Sequence, residues 1–396
     1  MIFCQGKQAS LCDTVVTNPS FVNQNQSIMK KISFFLLTAI ASVTLLITGC
    51  TEDNGPDTPD SSSILPENFA VDIPSALSYE SNLKSAAIDT LKGNHIYAHL
   101  RSFIHVGDKG AGIVRDIIRS IWRYEINKPM EVTFESEDDG RVKHLVVVED
   151  AGFDGHTWEF QLTITDLDSE GNKDGGKALQ VFWNRSPVKG IAILKPCNID
   201  RVNCADMGEA MFRIDYSEDD LFYDATMLVC ATGLPMPSPL ENPFALKALK
   251  MFAGKKGDII DVYGNSDHPN AILIAGKAGF NWAFVAAGNE VKDLGVAEVG
   301  LPPSNLDEPS RSKLLGYYAI GEVFEREIKA VWGDQVPQDV IDAYLANTEA
   351  PGYFDSHGFI SAGVSPGDEY DELDVRLPDM SPFNPKEVGK LTIVFK

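Results

Sequence analysis

The chain reads as an α+β protein: a broad, mainly antiparallel β-sheet, closed or half-closed as in a half-barrel, packed with N-terminal and C-terminal helices. Three observations carry that reading. Ile113, Ile117, Ile121 and Tyr124 stand three or four apart, the apolar stripe of an amphipathic helix. Trp158, Phe160, Leu162 and Ile164 alternate with Glu159, Gln161 and Thr163, the period of a half-buried strand. Many further runs share that alternation and are joined by short polar turns, which suits antiparallel neighbours better than crossovers.

The elements follow in order. A helical region is expected over 75–126, with Gly93 as an interruption and Gly107-Asp108-Lys109-Gly110 dividing it; Asn127 and Pro129 suit its end. From Met130 the period changes to two. Val132 and Phe134 lead through Glu137-Asp138-Asp139-Gly140 into a strand from Val142 to Val148, a hairpin. Further strands are expected at 178–184, 188–194, 211–216, 225–231, 258–263, 271–276, 280–287, 294–299 and 391–396. Pro235, Pro237, Pro239 and Pro243 form a connector, a candidate subdivision of the globular part, before a short helix at 244–253. A second helical block spans 309–331, and Pro337 opens another short helix reaching Leu345 or Ala346. The stretch from there to the terminal strand reads as loop. No repeat of fixed period is present.

The N-terminal part has a different character. Met29-Lys30-Lys31 is a short basic start, residues 32–47 carry no charge, and Ile47-Thr48-Gly49-Cys50 closes the run. Charge, apolar core and small residues in that order are the layout of a signal peptide. The last four residues resemble the lipobox of bacterial lipoproteins, with Ile where Leu is commoner. The resemblance covers about twenty residues, roughly one-twentieth of the chain. It implies diacylglyceryl transfer to Cys50, cleavage before it and N-acylation of the new terminus. Thr51 in place of Asp implies the outer membrane, at either its periplasmic or its cell-surface side. Residues 1–28 lie upstream of this start and read as an over-extended gene start. Residues 50–66 hold Asp, Glu, Ser, Thr, Pro and Gly, and read as a tether; 67–396 is the globular part.

Cleavage would remove 49 of the 396 residues, among them Lys7, Lys30, Lys31 and Asp13. The remaining 347 residues keep 31 basic and 56 acidic side chains, a net charge of −25. That surface repels phosphate backbones, so nucleic acid is excluded as a partner. Of the remaining cysteines, Cys197 and Cys204 are seven apart and form a candidate disulfide for an oxidising compartment, with two free thiols as the alternative. Cys230 lies in the apolar run Met227–Ala231 and reads as a buried hydrophobe.

Candidate sites are few. His95 and His99 share a helix face, but no Glu follows the first His, so they read as structural rather than zinc ligands, with or without His105. Asp166-Leu167-Asp168-Ser169-Glu170-Gly171 begins like a calcium loop, yet its twelfth position is Lys177 where a bidentate Glu is needed, so it reads as a solvated hairpin loop. No nucleophile elbow, dinucleotide loop or Walker loop is present. No metal or cofactor is expected. Two polar turns each place an Asp beside a His: Gly264–Asn270 with Asp267 and His268, and Pro351–Gly358 with Asp355 and His357. If these loops met they could form a ligand or acid–base site; otherwise their residues simply make turns. The leading expectation is a non-enzymatic binding lipoprotein. Its partners are the membrane and a carbohydrate, lipid or protein ligand, with Trp158, Trp183 and Trp282 as surface candidates. The alternatives are a surface hydrolase using carboxylates or the Asp/His loops, and a lipid-handling half-barrel.

Overall fold

Thirteen strands pair in strict sequence order, each antiparallel to the next, in a computed structural model that describes residues 64–396 apart from 67, 80–91, 123–125, 127, 137, 203, 205–206, 240–241 and 273–277. The expected signal peptide, Cys50 and most of the expected tether lie outside the described residues. The strands are β1 (Met130–Glu135), β2 (Val142–Phe153), β3 (His156–Asp166), β4 (Lys177–Arg185), β5 (Val188–Leu194), β6 (Met211–Ser217) and β7 (Ala225–Thr232). They continue as β8 (Ala248–Lys256), β9 (Ile259–Ile272), β10 (Ala278–Asn289), β11 (Leu294–Gly300), β12 (Gly352–Asp355) and β13 (Gly358–Ala362). The first and last strands are not paired to each other, so the sheet is open. The molecule is therefore mainly β, and the α+β label overstates its helices.

The helices are α1 (Gly93–Trp122), the one-turn α2 (Pro196–Ile199), α3 (Ile320–Trp332), α4 (Gln338–Leu345), and the one-turn α5 (Asp371–Asp374) and α6 (Pro385–Val388). In a meander, turns fall alternately at the two ends of the sheet. The β2–β3, β4–β5, β6–β7, β8–β9, β10–β11 and β12–β13 turns share one end, here called the hairpin end. Neighbouring hairpins are tied there: the Gly257 amide donates to Asp224 Oδ2 at 2.8 Å, and Lys255 pairs with Glu290 at 2.6 Å.

One face of the sheet, the inner face, carries the main core. Leu145, Phe160, Val181, Phe212, Met251, Val262, Trp282 and Phe284 point into it from successive strands. Two segments of chain cover this face. Helix α1 lies across the strands: Tyr97 packs on Gly352 of β12, Phe103 on Trp282 of β10, Gly107 on Leu249 and Met251 of β8, and Gly110 on Phe212 of β6. A strap, residues 64–78, runs the other way along the hairpin end. Trp183 Nε1 donates to the Ile64 carbonyl at 2.8 Å, Phe69 sits over Gly190, and Leu77 over Gly288 and Gly295. Ile64 and Leu65 are already buried, so the globular part starts before residue 67.

The outer face is covered by the C-terminal third. Ala283, Val285, Ala287 and Val296 meet Leu314, Tyr370, Leu373, Leu377 and Met380. Strand β10 is thus buried on both faces, which explains its near-continuous apolar run. Further along, Trp158, Phe182, Ile191 and Ile193 pack with Ile393 on the same outer side. Residues 391–396 are extended there without joining the sheet, although their alternation suggests a strand; the Lys396 amide instead donates to Gln180 Oε1 at 2.8 Å.

Three more expectations are corrected. The segment 244–253 is not a helix: Ala248–Lys256 is β8, pairing with β7 and β9 across the proline connector, where the sheet continues unbroken. Residues 264–270 continue β9 rather than forming a loop. Gly107 and Gly110 do not divide α1, whose first residue is Gly93; residues 80–91 of the expected helical region lie outside the described residues. A Cβ at Gly110 would lie 2.5 Å from the Phe212 ring, and one at Gly107 2.7 Å from Met251 Cε; these positions are bare because the helix backbone touches the sheet's side chains.

Gly110→Ala is therefore expected to destabilise the protein by about 1–3 kcal/mol through overpacking. Gly112→Ala, whose nearest neighbour would be Arg115 Nη2 at 3.9 Å, is expected to gain up to about 1 kcal/mol from helix propensity. Urea denaturation of both variants checks the contrast.

Candidate functional site

Asp267 and His268 sit on adjacent positions of β9 and so point to opposite faces. His268 lies inside, fully buried, 4.2 Å from Phe103 and 4.7 Å from Trp282 between ring centroids. Its Nδ1 lies 3.0 Å from the Phe244 carbonyl and its Nε2 2.8 Å from Ser266 Oγ. The carbonyl can only accept, so Nδ1 carries the proton and Nε2 accepts from the serine hydroxyl. This is the hydrogen bond of a serine–histidine pair, but both residues are sealed in the core. Burial lowers the imidazole to about pH 3. Half-buried His99 lies tilted against Phe244 with ring centroids 4.6 Å apart, and burial with neighbouring His95 lowers it to about 4. His99 thus packs in an aromatic nest with Phe103, Phe244 and Trp282, while His95 Nδ1 accepts from the Lys92 amide at 3.4 Å. Among the described residues no group of three metal-binding side chains converges.

Asp267 lies on the outer side, 2% exposed, accepting from Asn281 Nδ2 at 3.1 Å; Lys247 stands 4.0 Å away. Burial raises its carboxyl above the ordinary range. Asn265 and Asn281 flank it, fully buried.

Asp355 and His357 occupy the β12–β13 turn. Asp355 Oδ1 accepts from the His357 amide at 2.7 Å and from Gly358 at 3.1 Å, a turn closed by its own side chain. The His357 side chain is 91% exposed. The two Asp/His segments do not meet. Phe354 pairs with Gly295, which is level with Gly288 and Ile260, eight residues along β9 from His268. At about 3.3 Å per residue the segments are roughly 26 Å apart along the strands, at different ends of the sheet.

The three tryptophans are not a surface platform. Trp158, Trp183 and Trp282 are at most 4% exposed, and their Nε1 groups donate to the carbonyls of Phe153, Ile64 and Ile96.

Two polar arrangements are not foreshadowed by any local motif. The first replaces the calcium-like loop. Asp166, fully buried, accepts two hydrogen bonds from Arg141 Nε, at 3.0 and 3.1 Å, and one from Ser169 at 2.7 Å; Lys143 and Arg201 stand at 3.8 and 3.6 Å. Burial alone would raise this carboxyl, but the Arg141 and Ser169 bonds outweigh it and hold it low. Asp174 is likewise held by Lys195 at 2.7 Å and by Asn198. Cations of the protein thus occupy the oxygens that a calcium ion would need. Cys197 and Cys204, joined by a disulfide with Cα atoms 4.9 Å apart, close the neighbouring loop around Arg201. Cys230 is free and buried.

The second arrangement is a polar seam between α1 and the strap. Arg101 Nη2 donates to the Ser75 carbonyl at 2.6 Å, and the Ser78 hydroxyl donates to Asp108 at 2.8 Å with His105 Nδ1 at 3.3 Å. Arg115 pairs with Asp72. Burial raises Asp108 to about pH 6, and burial with Lys109 lowers His105 to about 4. Arg101, His105, Asp108 and Arg115 follow spacings of four, three and seven, a polar stripe along one side of the helix. Ser78 bonds the carboxylate directly, so His105 is not placed as a base oriented by Asp108.

Compared with family models, with curated proteins and with solved structures, the chain matches none.

Two measurements test this geometry. His268 titrates near its ordinary 6.5 when unfolded and near 3 when folded, so its contribution is full above about pH 6.5 and is lost as pH falls towards 3. His268→Gln is expected to flatten the stability–pH curve across that window in urea titrations; equal slopes would contradict a buried neutral ring. Asp166→Ala leaves three cations facing a void and is expected to cost about 3–5 kcal/mol. His357→Ala is expected to change stability by less than about 0.5 kcal/mol. Thermal denaturation at neutral pH compares the two.

Proposed function

We propose that the chain is an exported lipoprotein, held at the outer membrane by lipid on Cys50, whose globular part binds a carbohydrate, lipid or protein partner rather than catalysing a reaction. The observation that carries this reading is the run Met29-Lys30-Lys31, an uncharged segment, and Ile47-Thr48-Gly49-Cys50. One finding supports it. The Cys197–Cys204 disulfide suits an oxidising compartment outside the cytoplasm. Among the described residues no helix is long and apolar enough to cross a membrane, and the uncharged run 32–47 lies outside them.

We read the sheet as a half-barrel curled about α1. That shape keeps the lipid-handling alternative in view, because the inner face is apolar over most of its strands. Against it stands the filling of that face by α1 and the strap, with helix backbone pressed on Phe212 and Met251. A hydrolase built on the Asp/His segments has less support, since they are roughly 26 Å apart along the sheet.

Intact mass of the protein extracted from its native membrane tests the anchor. A chain starting at Cys50 and carrying acyl mass that Cys50→Ala removes is the expected result. A chain retaining residues before Cys50, without acyl mass, would contradict it.

A further inference from the structure

Large apolar side chains are exposed together at the hairpin end. Leu221 is 96% exposed and Phe222 72% in the β6–β7 turn, and Val291 is 72% exposed in the β10–β11 turn. These side chains are held out by built turns. Asp220 Oδ1 accepts from the Phe222 amide at 2.8 Å and the Tyr223 amide at 3.1 Å, and Tyr223 Oη donates to Asp261 at 2.9 Å. Asp224 fastens the same turn to Gly257 of the next hairpin. Holding Leu and Phe in water costs hydrophobic free energy that a partner covering them would recover.

The path of the chain says what covers them. The globular part begins at Ile64, whose carbonyl is held by Trp183, two residues from the end of β4 at the hairpin end. Cys50 lies 14 residues upstream, so the lipidated residue stands at most about 50 Å from that point. The opposite end of the sheet lies farther by the length of a strand, about 45 Å for the 14 residues of β9. A membrane holding the lipid on Cys50 therefore faces the hairpin end more readily than any other part of the molecule.

Charge narrows the surface further. Glu218, Asp219, Asp220 and Asp224 surround the apolar pair, and all four are exposed. They repel anionic headgroups, so the surface must be zwitterionic or neutral. We propose that the hairpin end is a membrane-docking surface: Leu221, Phe222 and Val291 dip into the interface of the bilayer that holds Cys50, and orient the sheet with its strands rising from it. This inference rests on the lipoprotein reading.

The test uses the acylated full chain, purified from its membrane and reconstituted in phosphatidylcholine vesicles, with an environment-sensitive fluorophore on Leu221→Cys. Cys50 is blocked by lipid, Cys197 and Cys204 are bridged and Cys230 is buried, so the new thiol is labelled selectively. Val291→Cys is a second probe, and Glu170→Cys, exposed in the β3–β4 turn at the far end, is the reference. The expected result is a blue-shifted emission at 221 and 291, quenched by nitroxide-bearing lipid, with an unshifted, unquenched signal at 170. Replacing part of the lipid with phosphatidylglycerol should weaken the quenching at low salt. Protein that carries acyl mass and floats with the vesicles, yet shows the same quenching at 221, 291 and 170, would overturn the docking surface and leave the anchor standing. Protein without acyl mass that fails to float would overturn the anchor and the docking surface with it.

Discussion

Helix α1, about 45 Å long at 1.5 Å per residue, has an apolar side that water would penalise along its whole length. The inner face of the sheet presents the matching problem over most of its strands. Laying one across the other buries both. Close approach decides how well: where a helix crosses large side chains such as Phe212 and Met251, glycine at 107 and 110 lets the backbone come into van der Waals contact. Strands as far apart in sequence as β6 and β12 are tied through this one element. The meander pairs each strand only with its chain neighbours, so α1 supplies cohesion that the hydrogen-bond ladder does not.

Much else is arranged around that contact. The strap fills the part of the inner face that α1 leaves uncovered, and a polar seam joins the two. Arg101, Asp108 and Arg115 stand where the helix faces the strap rather than the sheet, so their polarity is matched by Ser75, Ser78 and Asp72. On the outer face the C-terminal third seals β9 to β11, and buried Asp261 is paired there with Arg376. The Asp166 network closes the far end of β2 and β3. In these last two cases a buried carboxylate is matched by a guanidinium, as desolvation of a charge requires. At the hairpin end the apolar side chains Leu221, Phe222 and Val291 meet water although the turns there are tied to one another.

Alternation makes strands such as β2, β3 and β6 legible in the sequence, because each carries one apolar and one more polar face, whereas β4, β5 and β10 are legible as apolar runs between polar turns. The misreadings have physical causes. Ala248-Leu249-Lys250-Met251 is composed of good helix formers, yet the open slot between β7 and β9 and the period-two set Leu249, Met251, Ala253 make it a strand. Gly264-Asn265-Ser266-Asp267-His268-Pro269-Asn270 has the composition of a turn; paired strands on both sides and hydrogen bonds for His268 and Asp267 let it run through the sheet. Gly107 and Gly110 looked like breaks because their reason lies in residues more than one hundred positions away. Separation in sequence also hides the Asp166 network, whose partners Arg141 and Arg201 have no local spacing to reveal them. The Asp/His segments were located by composition, but nothing in the sequence shows that the sheet holds them apart.

As a fixed part of the core, α1 leaves the sheet only when the whole molecule unfolds. Native-state hydrogen exchange measures this directly, by comparing the opening free energies of amides in α1 from Ile96 to Ile118 with those in β9 and β10. If α1 is the spine, its slowest amides exchange only with global unfolding, at the same free energy as the central strands and with the same urea dependence. If α1 exchanges as a separate, less stable unit while β9 and β10 remain protected, the helix is a displaceable filling, and the central claim is wrong.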